Sequence, residues 1–303
     1  MPWVVGIDEA GYGPNLGPLV QAAVCLHLPD ADPAGWDALK AVVRRAHEPA
    51  DGRVLIDDSK KVYTRGGLAA LERGTWTAFG VAPTTVDHAA FTFAPDSQRD
   101  LAAELWYVPA APAPVAEWEP HPGLALTGAN ALAAVVQPTR FNRIVDEYTS
   151  KAVVLALGLV ELAAAVFRQL PADGTPLVLA CDKMGGRNYY AGLVSQAFPD
   201  GWVVAEVEGA AESRYRVEGL DRPVSVTFRP RADGDSVAVA LASMVCKYLR
   251  EVCMLQFNRY WATHVPGIAP TAGYPVDAKR FYAAIRPAMD KLGLTADQVW
   301  RKK

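Results

Sequence analysis

Two adjacent carboxylates, Asp8 and Glu9, close a short apolar run that begins at Trp3. The run is too short for a helix and rich in β-branched residues, so it reads as a buried strand. Acids at the end of a core strand are costly to bury unless something positive sits against them. The next residues, 10–18, hold three glycines and two prolines, a loop that lets a ligand approach the backbone closely. A second apolar run, 177–181, ends in Asp182. If the two strands lie side by side, Asp8 and Asp182 meet at one sheet edge. A fourth acid, Asp235, stands at the N-cap position of a long apolar helix.

Crowded carboxylates repel, and a divalent cation removes the conflict. Magnesium takes oxygen ligands, usually a few carboxylates together with substrate phosphates. Two such ions about 4 Å apart can activate a water and stabilise the leaving oxygen of a phosphodiester. The five histidines show no zinc spacing, and the four cysteines form no CxxC pair. The acids therefore point to metal-dependent phosphodiester hydrolysis. Singly, each acid also fits a plainer role: a solvated turn for Asp8 and Glu9, an ordinary cap for Asp235. A phosphatase with an aspartate nucleophile commonly needs a second aspartate two residues on, and position 10 is alanine.

Cations are grouped locally. Lys60 and Lys61 stand at the start of a helix capped by Asp58 or Ser59. There they oppose the helix dipole, which favours a role as phosphate ligands. Further basic groups are Lys247 with Arg250, Lys279 with Arg280, and 301–303. The net charge of −3 gives no global attraction to nucleic acid, so any binding rests on such patches or on bound cations.

The elements that must position these groups follow from periodicity. Apolar residues make up 51% of the 303, enough for a core, and one domain over 1–303 is expected. Strands are expected at 21–28, 75–86, 202–208 and 224–229. Helices are expected at 32–46, 65–74, 145–170, 190–197, 237–261 and 277–285, with a charged tail from 291 ending a C-terminal helical region, 277–303. Residues 88–143 read as an insertion or subdomain with a Pro-rich stretch, 107–123, and Trp106 and Trp118 nearby. Buried reduced cysteines and the lack of a basic leader point to the cytoplasm. No apolar run is expected to cross a membrane, 152–167 coming closest.

Asp8-Glu9-Ala10-Gly11-Tyr12-Gly13-Pro14, with Gly17-Pro18 after it, resembles the first signature of the type 2 ribonuclease H family. Asp58-Ser59-Lys60-Lys61 is similar to the second. Residues 234–243, followed by Lys247, resemble the third, and Gly273-Tyr274-Pro275 the fourth. The Tyr-Leu after Lys247 is equally close to the type 3 enzymes. The resemblance covers roughly 1–75 and 145–285.

The resemblance implies an α/β ribonuclease H-like fold, a mixed sheet flanked by helices. It implies a monomeric enzyme that cuts the RNA strand of RNA–DNA hybrids with magnesium or manganese. Asp8, Glu9, Asp182 and Asp235 would be the catalytic metal ligands. Ser59, Lys60 and Lys247 would contact phosphates. Gly11, Tyr12 and Gly13 would sit where the family reads the ribose 2′-hydroxyl, mainly by backbone groups. Tyr274 would stack or bond near the RNA–DNA junction. Tyr12 departs from the arginine or lysine usual in that loop, and Val276 and Lys279 from the usual threonine and histidine. A tyrosine supplies no permanent charge to a phosphate. The alternative is a nuclease-fold protein that binds nucleic acid without cutting, or that cuts another substrate such as branched DNA.

Overall fold

The computed structural model describes residues 1–29, 32, 34–113, 123 and 125–302. Its first half runs β1 (Trp3–Ala10), β2 (Leu19–His27), α1 (Trp36–Leu39), β3 (Val43–Arg44), β4 (Val54–Leu55), α2 (Ser59–Phe79), α3 (Val86–Phe93), α4 (Gln98–Ala102) and β5 (Asn130–Val136). Then follow α5 (Pro138–Tyr148), α6 (Ala152–Gln169), β6 (Leu177–Asp182), α7 (Ala191–Ala197), β7 (Trp202–Glu208), β8 (Ser213–Glu218) and β9 (Val224–Arg229). The chain ends in α8 (Ala232–Asp235), α9 (Val237–His264), α10 (Pro275–Leu292) and α11 (Ala296–Val299). Seven strands form one mixed sheet in the order β5-β2-β1-β6-β9-β8-β7.

β1 sits in the middle, antiparallel to β2 and parallel to β6. Its alternation decides the layers. Val4 faces a core shared with α2, α3 and α9, while Val5 and Ile7 face a second core under α6 and α7. Gly6 points at α9, where an added Cβ would stand 2.1 Å from the Ala238 backbone. Only a residue without a side chain lets that helix come so close, which is how α9 reaches the end of β1.

Several expectations are corrected. Residues 75–79, read as a strand, continue α2. Thr75, Trp76 and Thr77 are buried there, and Gly80 closes the helix in the left-handed region. The helix expected over 145–170 is two, α5 and α6, parted at Thr149, whose φ is 55°. The helix expected over 32–46 is the single turn α1 followed by β3. The polar turn before β9 contains β8.

Residues 88–143, read as an insertion, contribute both to the sheet and to a core cluster. α3 buries Ala89, Ala90 and Phe93, and β5 pairs with β2 as the outer strand of the sheet. Trp106 packs edge-on against Phe257 at 5.0 Å. Most of the Pro-rich stretch, Trp118 included, lies outside the described residues. The tail from 291 is also packed: Val299 and Arg301 are buried. Helix α6 is long and apolar enough to cross a membrane by length and composition. In the fold its Val154, Leu155, Leu159 and Leu162 are buried, and Gly158 lies against the Gln21 side chain of β2.

Candidate active site

Parallel pairing of β1 and β6 sets Ile7 beside Cys181. The next residue on each strand is an acid, so Asp8 and Asp182 emerge together at one edge. They open into a cleft of about 250 Å³. Ten of the eleven expected site residues line it: Asp8, Glu9, Gly11, Tyr12, Gly13, Ser59, Lys60, Asp182, Lys247 and Tyr274.

The exception is Asp235. It is exposed and faces a different groove, beside Val178 and Ser236. The acid in the cleft is Asp233. The cause is local. After β9 the chain reverses at Arg231, which holds a left-handed φ of 60°, and makes the single turn α8. Ser236 then takes the N-cap place of α9. Asp233 and Asp235 thus sit on opposite sides of one turn. Position 233 offered the same residue type two places earlier, and only the Arg231 turn distinguishes them.

Asp8 is the most enclosed of the acids. Its Oδ1 accepts the Glu9 N–H at 2.8 Å, and the Ser243 hydroxyl of α9 lies near enough to favour its ionised form. Burial pushes its carboxyl well above the ordinary range, with the negative charges of Glu9 and Asp182 adding to the rise. Burial and Asp182 raise Glu9 to about 7, against a smaller opposing pull from Lys60. Asp233 is also raised, by burial and then by Asp58 and Asp182. Asp182 Oδ1 accepts the Ala232 N–H at 3.1 Å, which ties the β6 end to α8. Like charge in this cleft exceeds the nearby cations, a setting that a hard divalent cation would relieve. The donors are all oxygens, which suits magnesium or manganese. Among the described residues, no three acidic, histidine or cysteine side chains already form a ready-made metal cage.

Lys60 and Lys247 line the same cleft. Asp58 caps α2 by accepting the Lys60 N–H at 2.8 Å, which sets Lys60 at the rim. Lys247 projects from α9 over the Tyr63 ring at 4.4 Å and pairs with Glu251. Tyr12 rests against the apolar cluster of Leu19, Phe141 and Val154 and carries the Lys151 ammonium over its ring at 4.6 Å. The loop therefore has a positive charge beside it, though not of its own. Asp58, Asp233, Ser243 and Arg250 belong to the cleft and had not been singled out as site residues. Ser243 and Arg250 were legible as one α9 face, since 243, 247 and 250 follow helical spacing.

Gly11 must be glycine on two counts. Its φ is +91°, and an added Cβ would stand 2.6 Å from the Pro18 carbonyl oxygen. Arg250 reaches under the same loop and donates to the carbonyls of Pro18 at 2.6 Å and Ala272 at 2.9 Å. The second of these couples the 11–18 loop to the segment carrying Tyr274.

A central mixed sheet with paired acids at the end of its middle strands, covered by a long helix, defines the ribonuclease H-like fold. Three solved structures align with 98–99% of this chain. The ribonuclease H2 of Pyrococcus horikoshii OT3 is 15% identical, with 98% of this chain and 92% of that one covered and a TM-score of 0.51. RNase HII of Archaeoglobus fulgidus, solved as a complex with PCNA, is 14% identical over 99% and 94%, with a TM-score of 0.47. Bst-RNase HIII in complex with Mn2+ is 16% identical over 99% and 66%, with a TM-score of 0.46. No family model matches the sequence, and no curated protein matches it. The chain has the fold of a type 2 ribonuclease H.

Proposed function

We propose that this protein is a metal-dependent endonuclease that hydrolyses the RNA strand of RNA–DNA hybrids. The observation that carries the reading is the convergence of Asp8, Glu9, Asp182 and Asp233 in one cleft, walled by Lys60 and Lys247 and edged by the 11–13 loop. Those four acids would hold magnesium or manganese, which when bound supplies an activated water and stabilises the leaving oxygen.

The protein's own groups do the rest. Ser243, beside Asp8, favours the ionised form of its carboxyl. Lys60 and Lys247 attract and orient the phosphates on either side of the scissile bond. The Gly11–Gly13 backbone reads the ribose, since the 2′-hydroxyl both donates and accepts and marks RNA from DNA. Tyr274, about half exposed, offers a ring to the sugar or base beyond the cut.

The test is a substrate panel with magnesium and with manganese: hybrid, DNA duplex with one embedded ribonucleotide, single-stranded RNA and branched DNA. Cleavage of the hybrid that stops on chelation supports the reading. Cleavage of branched DNA with the hybrid left whole assigns the cleft to another substrate. Binding without any cutting removes the enzymatic reading.

A further inference from the structure

Arg301 is 1% exposed and has no acidic partner among the described residues. Its Nη2 donates to the carbonyl of Gly11 at 2.6 Å and to that of Pro14, and its guanidinium lies 4.7 Å over the Phe141 ring. Nε and Nη1 are buried with no hydrogen-bond partner among the described residues. The segment around it is zipped to the same loop. The Arg301 N–H donates to Asn15 at 2.8 Å, and Trp300 forms an antiparallel bridge with Leu16. Asn142 of α5 clasps the outer side, donating to the Trp300 carbonyl at 2.8 Å and accepting the Lys302 N–H at 2.8 Å.

A buried guanidinium without a carboxylate depends on the carbonyls it has. Gly11 lies in a conformation from which a glycine peptide flips easily. A flip that turned its carbonyl away would remove an acceptor from a cation already short of them. In a trans peptide the C=O and the next N–H point in opposite directions. With the Gly11 carbonyl held inward by Arg301, the Tyr12 N–H points away from Arg301. Gly11 and Tyr12 line the cleft, and among the described residues nothing accepts that N–H.

We propose that Arg301 is a positioning residue of the substrate-reading loop: it fixes the Gly11–Tyr12 peptide so that the Tyr12 N–H is offered to a ribose oxygen in the cleft. Arg301 touches no substrate itself. The use of that N–H to recognise RNA rests on the ribonuclease reading, whereas the clamp does not.

Arg301→Gln and Arg301→Lys in the full chain test both parts. The first readout is the Gly11 carbonyl carbon signal in the free protein by NMR, which moves upfield when a carbonyl loses its donor. The second is the affinity for an RNA–DNA hybrid relative to a DNA duplex of the same sequence, measured in calcium. Arg301→Gln is expected to shift the Gly11 signal and to cut the hybrid preference about 10-fold, the worth of one hydrogen bond. The salt dependence of binding stays unchanged, since no phosphate contact is lost. Arg301→Lys is expected to recover part of both effects. A folded Arg301→Gln protein that keeps its Gly11 signal and its hybrid preference overturns the proposal. If that variant does not fold, Arg301→Lys decides: an unchanged Gly11 signal counts against the clamp. A wild-type protein with no hybrid preference defeats the ribonuclease reading, and the Gly11 signal still decides the clamp.

Discussion

The hydroxyls of Ser243 and Ser59 hydrogen-bond at 3.0 Å, joining α9 to the first residue of α2 beside Asp8. Ser243 also lies beside the Asp8 carboxyl and favours its ionised form, so one α9 side chain touches both the start of α2 and the β1 acid. Removing it leaves Asp8 with less support for its charged form. Ser243→Ala is expected to raise the magnesium needed for half-maximal cleavage by ~10-fold while leaving the rate at saturating metal nearly unchanged. A metal titration of initial rates checks this.

Asp233 and Asp235 separate the two possible third-signature acids. Asp233→Asn is expected to lower cleavage by at least ~100-fold, as loss of a metal ligand. Asp235→Asn, at an exposed position outside the cleft, is expected to stay near wild type. Rates of the two variants on one hybrid give the comparison, and the reverse order would move the metal site.

Much of this site was legible because it is local. Asp8 and Asp182 each end a short apolar run, and two parallel strands then bring them together. Asp233 was missed because the left-handed Arg231 that aims it has no sequence signature stronger than the cap pattern that favoured Asp235. Residues 75–79 read as a strand from their β-branched and aromatic types. Tertiary packing decides otherwise, with Trp76 stacked on Phe93 at 4.5 Å and edge-on to Tyr248. Arg301 read as part of a solvated charged end. Its partner is Gly11, and a contact between residues 290 positions apart leaves no trace in periodicity.

Metal binding should show as stability. Asp8 is buried against Glu9 and Asp182, so the metal-free fold carries unrelieved repulsion. Asp8→Asn is expected to raise the melting temperature in EDTA and to abolish the rise that magnesium or manganese gives the wild type. For the wild type, metal at 100 times its dissociation constant adds about 2.7 kcal/mol. Thermal melts with and without metal test both effects, and a metal-induced rise that survives in Asp8→Asn would place the ion elsewhere.

Glu104 gives a pH effect away from the cleft. Burial, and then Asp100, raise its carboxyl to about 8. In the unfolded chain it ionises near the ordinary glutamate value of about 4.3. The fold therefore holds a proton that the unfolded chain releases. That contribution is full below about pH 4, declines as pH rises, and is gone above about 8. Glu104→Gln stays neutral throughout, so its stability relative to wild type is expected to improve between pH 5 and pH 8 by up to ~3 kcal/mol. Urea melts at the two pH values measure it, and an equal difference at both would mean that Glu104 is ionised in the fold.

The central claim is that this cleft cuts RNA paired to DNA. A hybrid labelled in turn on its RNA and its DNA strand, incubated with magnesium or manganese, tests it most directly. Internal cuts in the RNA strand, an intact DNA strand, and no cutting by Asp8→Asn or Asp233→Asn are expected. A cut DNA strand, or an RNA strand left whole with both metals, contradicts it.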